Sequence, residues 1–499
     1  MMELVCPAGN IEKLTYAYNY GADTAYIGLK RFSLRVKADN FYEDEYNRVI
    51  ELKKRFPGKR LFCALNIAFH NQDLKLFLQN LDYFKQYPID AFIVQDLGMV
   101  DLLQKNFPNA HLHLSTQASC MNKEAVKMYG RLGFKRVVLG REVSLNEIRE
   151  IKDANPDMEL ECFAHGAMCI AYSGRCLMSA YLTGRSAQSG FCSHTCRWDY
   201  KLGTEVQKLN QTGGIINADT AKQIAESGIL RLEEQKRPGE YFPVFEGDNF
   251  TAILSSKDLC MIDHLKDMKD AGVDACKIEG RMKSIYYVAM VTRAYRKALD
   301  ALEGKISDQE AAPFIKSLEE VAHRESTTGF YYSRAHADET TVGASDSPYI
   351  LAGTVEEEIT GSAFDEILAN GKALVDAHHA ELAAMDPRER AARERDLEAH
   401  PEKVPQAIEK KDGYKLYRYN ALNKTDKGTD LELVSPDVLS KKLAGSDYIF
   451  VNSKNGLIVD WVNADHDCAI YTKEDILRGT LVRVKDEEYI EGVVRTTAR

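Results

Sequence analysis

The chain has 499 residues, 44% of them hydrophobic and 28% charged, with 32 glycines and 13 prolines. That composition excludes a disordered, collagen-like or low-complexity protein and leaves room for two or three folded domains. The 65 basic and 75 acidic side chains give a net charge of −10, so nucleic acid can be met only through a local basic patch. The opening MMELVCPAGNIEKL has neither the basic start nor the apolar stretch of a secretion signal, and no run of about 18 apolar residues occurs, so a cytoplasmic protein is expected.

In chain order, short apolar runs at 4–6, 24–29, 61–67, 91–95, 111–115, 136–140, 160–164 and 275–278 read as strands. Between most of them lie amphipathic segments, 10–20, 43–56, 74–87, 123–132 and 145–154, whose apolar residues recur at helical spacing. Eight such units predict a (β/α)8 TIM-like barrel, although a doubly wound open sheet fits the periodicity almost as well. The strand ends favour the barrel. Asn66, Gln95 with Asp96, Ser115 with Gln117, Arg141 with Glu142, His165, and Glu279 with Arg281 and Lys283 all sit at or just past the end of a strand. In a barrel such positions converge on one mouth. Any one of them is as readily a cap or turn residue; six strands ending this way are harder to dismiss.

About 110 residues separate the seventh strand from the eighth, too many for a plain connection, so an insertion is predicted over about 166–250. Its start holds Cys169, Cys176, Cys192 and Cys196 in a C-x6-C-x15-C-x3-C spacing, four of the eleven cysteines within 28 residues. Four thiolates in loops can close a zinc site or hold an iron–sulfur cluster, and the spacing alone does not separate the two. Unrelated buried thiols are the plainer alternative. Cys6, Cys63, Cys162 and Cys276 lie inside predicted strands and are expected in the core. Cys120, Cys260 and Cys468 stand alone and are read as structural.

The segments ECFAHGAMC (161–169), GRCLMS (174–179), FCSHTCRW (191–198), SKDL (256–259) and KIEGRMKS (277–284) resemble the motifs of the peptidase U32 (collagenase-like) family. ELVCPAG (3–9), FSLRV (32–36) and LSTQA (114–118) extend the resemblance over about the first 335 residues. The nearest branch of that family hydroxylates tRNA uridine to 5-hydroxyuridine with prephenate as hydroxyl donor; sister branches act on ribosomal RNA or on quinone precursors. The resemblance implies a 4Fe-4S cluster on Cys169, Cys176, Cys192 and Cys196, with the fourth ligand supplied by a distant cysteine in some branches. It also makes Arg35, Arg141, Arg281 and Lys283 candidates to grip the two carboxylates of prephenate. His165 would donate toward the cluster or shuttle a proton, and Glu279 would accept a proton or orient a basic side chain. Asn66, Gln117, Lys257 and Asp258 complete the expected substrate-binding set. An RNA-binding rim is expected from Arg31, Arg35, Lys37, Phe32 and Phe41 on one side, and from Arg175, Arg185, Arg197, Trp198 and Lys201 on the other.

Residues 1–340 are thus expected to form the catalytic barrel and 341–499 a small C-terminal β-barrel, with strand–turn–strand patterning at 423–433 and a late strand at 481–484. An Ala-, Glu- and Arg-rich stretch, 362–406, reads as an inserted, solvated helical segment. Two other functions stay open: a cluster-bearing accessory protein, and a peptidase. For the latter no H-E-x-x-H occurs, and only a triad assembled in space around His70, His113 or His165 would serve.

Overall fold

Val5, Tyr26, Phe62, Ala91, Ile93 and Ala275 come from five different strands and meet in one buried cluster, the arrangement expected when a parallel sheet closes on itself. The computed structural model describes residues 1–29, 32, 41, 45–169, 171–173, 175–183, 192–193, 195–197, 200–204, 230–234, 241–243, 246–247, 250–251, 257–333, 344–345, 347–489 and 494–495. Eight parallel strands form the barrel: β1 Glu3–Pro7, β2 Thr24–Ile27, β3 Arg60–Leu65, β4 Ala91–Val94, β5 His111–Leu114, β6 Phe134–Val138, β7 Glu159–Ala167 and β8 Ala275–Ile278. Each pairs with the next, and β8 closes the ring by pairing with β7 (Ala275 opposite Glu161) and β1 (Ala275 opposite Glu3). The open-sheet alternative is excluded by that closure.

Helices α1 Ile11–Asn19, α2 Glu45–Arg55, α5 Val100–Asn106, α6 Lys123–Arg131 and α7 Leu145–Ala154 follow their strands. The starts of α1, α6 and α7 are fixed by side chains that satisfy otherwise orphaned N–H groups. Asn10 accepts from the Lys13 amide, Asn122 from Ala125, and Ser144 and Glu147 form a capping box. The helix predicted at 74–87 is two helices, α3 Asn71–Gln79 and α4 Leu81–Gln86, broken at Asn80.

β7 outruns its apolar core because a short strand, Asp258–Cys260, pairs antiparallel with its far end, Cys260 opposite His165. A bulge between Phe163 and His165 interrupts its pairing with β8, which switches the faces that successive side chains take. Of the insertion, Tyr200–Thr204, Leu230–Glu234 and Tyr241–Pro243 form a three-stranded antiparallel sheet. Helix α9 Leu265–Asp270 precedes β8, and α10 Ile285–Leu302 and α11 Asp308–Lys316 follow it. No helix among the described residues is long and apolar enough to cross a membrane.

Residues 347–491 form a second compact unit. Seven antiparallel strands, β9 Tyr349–Ile359, β10 Lys415–Ala421, β11 Leu431–Val434, β12 Lys441–Leu443, β13 Tyr448–Asn452, β14 Cys468–Thr472 and β15 Leu481–Lys485, run in the order β12-β11-β15-β9-β10-β14-β13. The sheet curls around Val355, Tyr419, Leu433, Phe450, Ile470 and Val482. Between β9 and β10 lie helices α12 Gly361–Ala384 and α13 Pro387–Ala399, mostly exposed and carrying ladders such as Lys372–Asp376 and Arg390–Glu394.

Candidate active site

The floor of the barrel is ionic. Arg136, 1% exposed, reaches Glu3 at 2.6 Å, Glu159 at 2.6 Å and Glu161 at 2.9 Å. Lys277 meets the other oxygen of Glu161 at 2.6 Å, and Arg60 also pairs with Glu3. Three carboxylates are thus matched by three cations. Burial alone would raise the Glu161 carboxyl, but Lys277 and then Arg136 outweigh it and hold the group below its ordinary value. His113, beside the Phe62 ring at 4.5 Å, is kept neutral first by burial and then by the Arg136 and Lys277 charges.

Above this floor the mouth begins. The Lys277 ammonium lies 4.4 Å from the Tyr26 ring centre and 5.8 Å from that of Phe163. Arg141 follows β6, and its guanidinium lies 3.7 Å from the centre of the same Phe163 ring. Arg141 is 8% exposed and makes no hydrogen bond or ion pair to the described residues. Tyr26 donates to the Ile278 carbonyl at 3.0 Å and stands 3.4 Å from the Glu279 carboxylate. Gln95 donates to the Asn66 carbonyl at 2.8 Å, and Gln117 sits on a single turn whose start is capped by Ser115. Arg141, Glu279, Asn66 and Gln117 therefore all stand at the C-terminal ends of barrel strands, where a barrel offers polar groups to a ligand.

The cysteine segment is moored beside this mouth. Ser173 donates its amide to Glu142 at 2.8 Å, and its carbonyl accepts from the Ser119 hydroxyl. Ser119 holds a left-handed backbone (φ 52°), uncommon for a residue other than glycine. Helix α8, Met178–Thr183, follows Cys176. The Ser193 amide donates to Ser179 at 3.0 Å, and the Ser193 hydroxyl lies 3.0 Å from that of Thr183, tying the Cys192 end of the segment back to α8.

None of the eleven cysteines is in a disulfide. Cys6, Cys63 and Cys120 are buried and their thiols are pushed up to about 12 by desolvation, so they stay protonated and inert. Cys169 is exposed, and Cys176, Cys192 and Cys196 are half-buried. The four match a metal or cluster in number and chemistry. Among the described residues no three His, Cys, Asp or Glu side chains stand close enough to hold a single metal ion, whereas thiolates around a four-iron cluster each bind a different iron and stand farther apart.

Several expected site residues lie elsewhere. The β7 bulge turns His165 away from the axis, with Nδ1 3.4 Å from the Tyr295 hydroxyl on α10 and burial pushing its pKa down to about 4. Asp258 shares that outer side, its carboxylate accepting from the Arg324 amide, and Lys257 lies 3.9 Å from Glu325. Arg281 is buried, with its carbonyl against Gly9; Lys283 lies over the Tyr287 ring at 5.2 Å. Phe32 and Phe41 are core residues, not rim: Phe32 stacks on Phe69, and Phe41 meets Tyr87 edge-on. Arg175 is exposed, as a rim requires. Arg31, Arg35, Lys37, Arg185 and Trp198, and the side chains of Arg197 and Lys201, lie outside the described residues. None of the three histidines offered as a peptidase base is hydrogen-bonded to a serine or cysteine among the described residues.

Sequence reasoning passed over Glu3, Arg136, Glu161 and Lys277 because they sit inside strands that read as apolar. The available signal was the alternation Glu159, Glu161, Phe163, which puts two carboxylates and the ring under Arg141 on one face.

The bulge depends on Gly166. Its φ is +106°, and a Cβ there would lie 2.5 Å from the Glu279 carbonyl oxygen. Gly166→Ala is expected to cost on the order of 2–4 kcal/mol in denaturant unfolding, from strain and a backbone clash together. An unchanged midpoint would show that β7 relaxes freely there.

The model of Peptidase family U32 matches residues 9–341. The chain belongs to this family. Among its U32 relatives, it is 40% identical over 353 residues to the tRNA hydroxylation protein P of Escherichia coli (strain K12), covering 67% of this chain and 76% of that protein. It is 36% identical over 359 residues to the tRNA hydroxylation protein P1 of Bacillus subtilis (strain 168), covering 71% and 76%. A further relative, the 23S rRNA 5-hydroxycytidine C2501 synthase of Escherichia coli, is 32% identical over 386 residues, covering 75% and 52%.

Proposed function

We propose that this chain is a tRNA-modifying enzyme that hydroxylates uridine at C5 in the cytoplasm, with prephenate as hydroxyl donor and a 4Fe-4S cluster held by Cys169, Cys176, Cys192 and Cys196. The substrate assignment is supported by the likeness to proteins named for tRNA hydroxylation, which at 40% and 36% identity exceeds the likeness to the ribosomal RNA enzyme at 32%.

The observation that carries the donor is Arg141. Arg141 is a buried residue (8% exposed) with no anion among the described residues, and a cation so placed is costly unless a ligand supplies one. Its guanidinium carbon lies 3.7 Å from the Phe163 ring centre, a cation–π contact that uses none of its N–H donors as hydrogen bonds and leaves them to take a carboxylate in the mouth. Lys277 is already balanced by Glu161 and acts as a fixed support under the Tyr26 and Phe163 rings. Glu279, with the Tyr26 hydroxyl 3.4 Å from its carboxylate, would hold a proton at the mouth in this reading. A cluster on the four loop sulfurs would supply one-electron chemistry. The Ser119–Ser173–Glu142 mooring keeps that segment at the ends of β5 and β6. Exposed Tyr172, Tyr181 and Arg175 offer stacking and phosphate contacts to a single-stranded RNA loop.

The test is nucleoside mass spectrometry of tRNA and ribosomal RNA from a strain lacking this gene and any redundant enzyme. Loss of 5-hydroxyuridine from tRNA, restored by the wild-type gene, is expected. Unchanged tRNA with a missing ribosomal nucleoside would move the substrate to ribosomal RNA.

A further inference from the structure

On the outer side of β7, away from the barrel axis, a cleft of about 720 Å3 lies between the strand Asp258–Cys260 and helices α10 and α11. Its inner end is built to accept hydrogen bonds. Tyr295, fully buried, spends its only hydroxyl proton on the Ala164 carbonyl at 2.7 Å. Its oxygen accepts from the Met261 amide at 3.3 Å and faces His165 Nδ1 at 3.4 Å. A hydroxyl so committed can only accept at Nδ1, so Nδ1 carries the imidazole proton and Nε2 keeps a lone pair. Tyr295 is not part of the cleft wall, whereas His165 is, so the ring edge opposite Tyr295 faces the cleft. That Nε2 makes no hydrogen bond among the described residues, and the side chain is 91% buried.

His323, also in the wall, is pinned in the same tautomer, with Nδ1 2.6 Å from the Val321 carbonyl. The Tyr287 hydroxyl is committed to the Glu279 carbonyl at 2.9 Å, and Asp258 adds a carboxylate. Leu259, Leu265, Ala298, Ala311 and Val321 make the rest of the wall apolar. At the rim stand Asp263, Asp308 and Glu319, with Lys316 and with Lys266, which is paired to Asp270 at 2.5 Å. Of the neighbouring cations, Lys283 lies over the Tyr287 ring at 5.2 Å and Lys257 lies 3.9 Å from Glu325.

We propose that this cleft binds a small apolar amine, with its hydrocarbon body on the alanine and leucine wall and its ammonium donating to Asp258 and to His165 Nε2. The inner end offers acceptors and the rim is acidic, so a carboxylate head is disfavoured and an ammonium satisfies both. The proposal stands apart from the hydroxylation reading, because the cleft and the barrel mouth are on opposite faces of β7.

The test uses the full chain with 2-phenylethylamine, 2-phenylethanol and 3-phenylpropanoate, followed by calorimetry and ligand-observed NMR. The amine is expected to bind saturably and about tenfold more tightly than the carboxylate. Asp258→Asn should weaken the amine about tenfold and leave the alcohol nearly unchanged, while Ala298→Phe, which fills the wall, should abolish all three. In case Ala298→Phe fails to fold, histidine-selective 15N spectra of the wild-type chain give an independent readout: His165 should show the Nδ1–H tautomer and its Nε2 resonance should move on titration with the amine. Equal or tighter carboxylate binding, no saturable binding of any probe, amine affinity indifferent to Asp258→Asn, or a His165 proton on Nε2 would each overturn the proposal.

Discussion

A Cys176→Ala chain placed in a strain lacking the wild-type gene is expected to give no detectable 5-hydroxyuridine in tRNA, a loss on the order of 100-fold or more. Cys176 is half-buried beside α8 and carries no core packing of its own. The hydroxyl ties from Ser179 and Thr183 to Ser193 survive the substitution. Iron and acid-labile sulfide per chain should therefore fall with activity, while the unfolding midpoint of the metal-free protein stays within about 0.5 kcal/mol of wild type. Cys468→Ala supplies the control: that thiol is buried in the C-terminal sheet, donating to the Tyr419 carbonyl at 3.1 Å, and its loss should leave the modification intact. Activity that survives Cys176→Ala would remove the cluster from the chemistry and return attention to a triad built without that thiol.

Arg136→Met is expected to destabilise the barrel by about 3–5 kcal/mol, measured by urea unfolding. The substitution keeps the volume but strands Glu3, Glu159 and Glu161, the last wholly buried, with only Arg60 and Lys277 as counter-charges. Adding Glu161→Gln should recover part of the loss, because it removes the most deeply buried of the stranded charges. Acidification probes the same network. Glu161 is held below its ordinary value, so its contribution is complete at neutral pH and disappears as pH falls through the folded value. A loss under 1 kcal/mol for Arg136→Met would mean that water enters the floor and screens it.

The barrel was legible because its strands and helices announce themselves locally. Strands such as 91–95 are apolar on both faces, helix starts carry Asn10, Asn122 and Ser144, and polar residues follow the strands in register. Strand-end position also brought Arg141, Asn66, Gln117 and Glu279 to the mouth, since every parallel strand in a closed barrel ends on the same side. His165 was misplaced by the same rule. One extra residue in β7 reverses the face that follows, and nothing local to His165 reports a bulge except the glycine after it.

Phe32 and Phe41 show a similar failure. An aromatic next to arginines reads as a nucleic-acid rim, and whether it faces water or Phe69, Phe77 and Tyr87 is settled only by residues far away in sequence. The sequence by itself determined the run of parallel β/α units, the cysteine-bearing insertion expected after β7 and the U32 resemblance, because each is written in contiguous periodicity or motif; closure into a barrel was settled by the pairing of β8 with both β7 and β1. Only the tertiary structure decided the balanced charge floor, the burial of Arg141 without an ion-pair partner among the described residues, and the cleft behind β7. Charge balance and hydrogen-bond commitment depend on which side chains from different strands and helices lie within a few ångströms of one another, and no spacing along the chain encodes that distance.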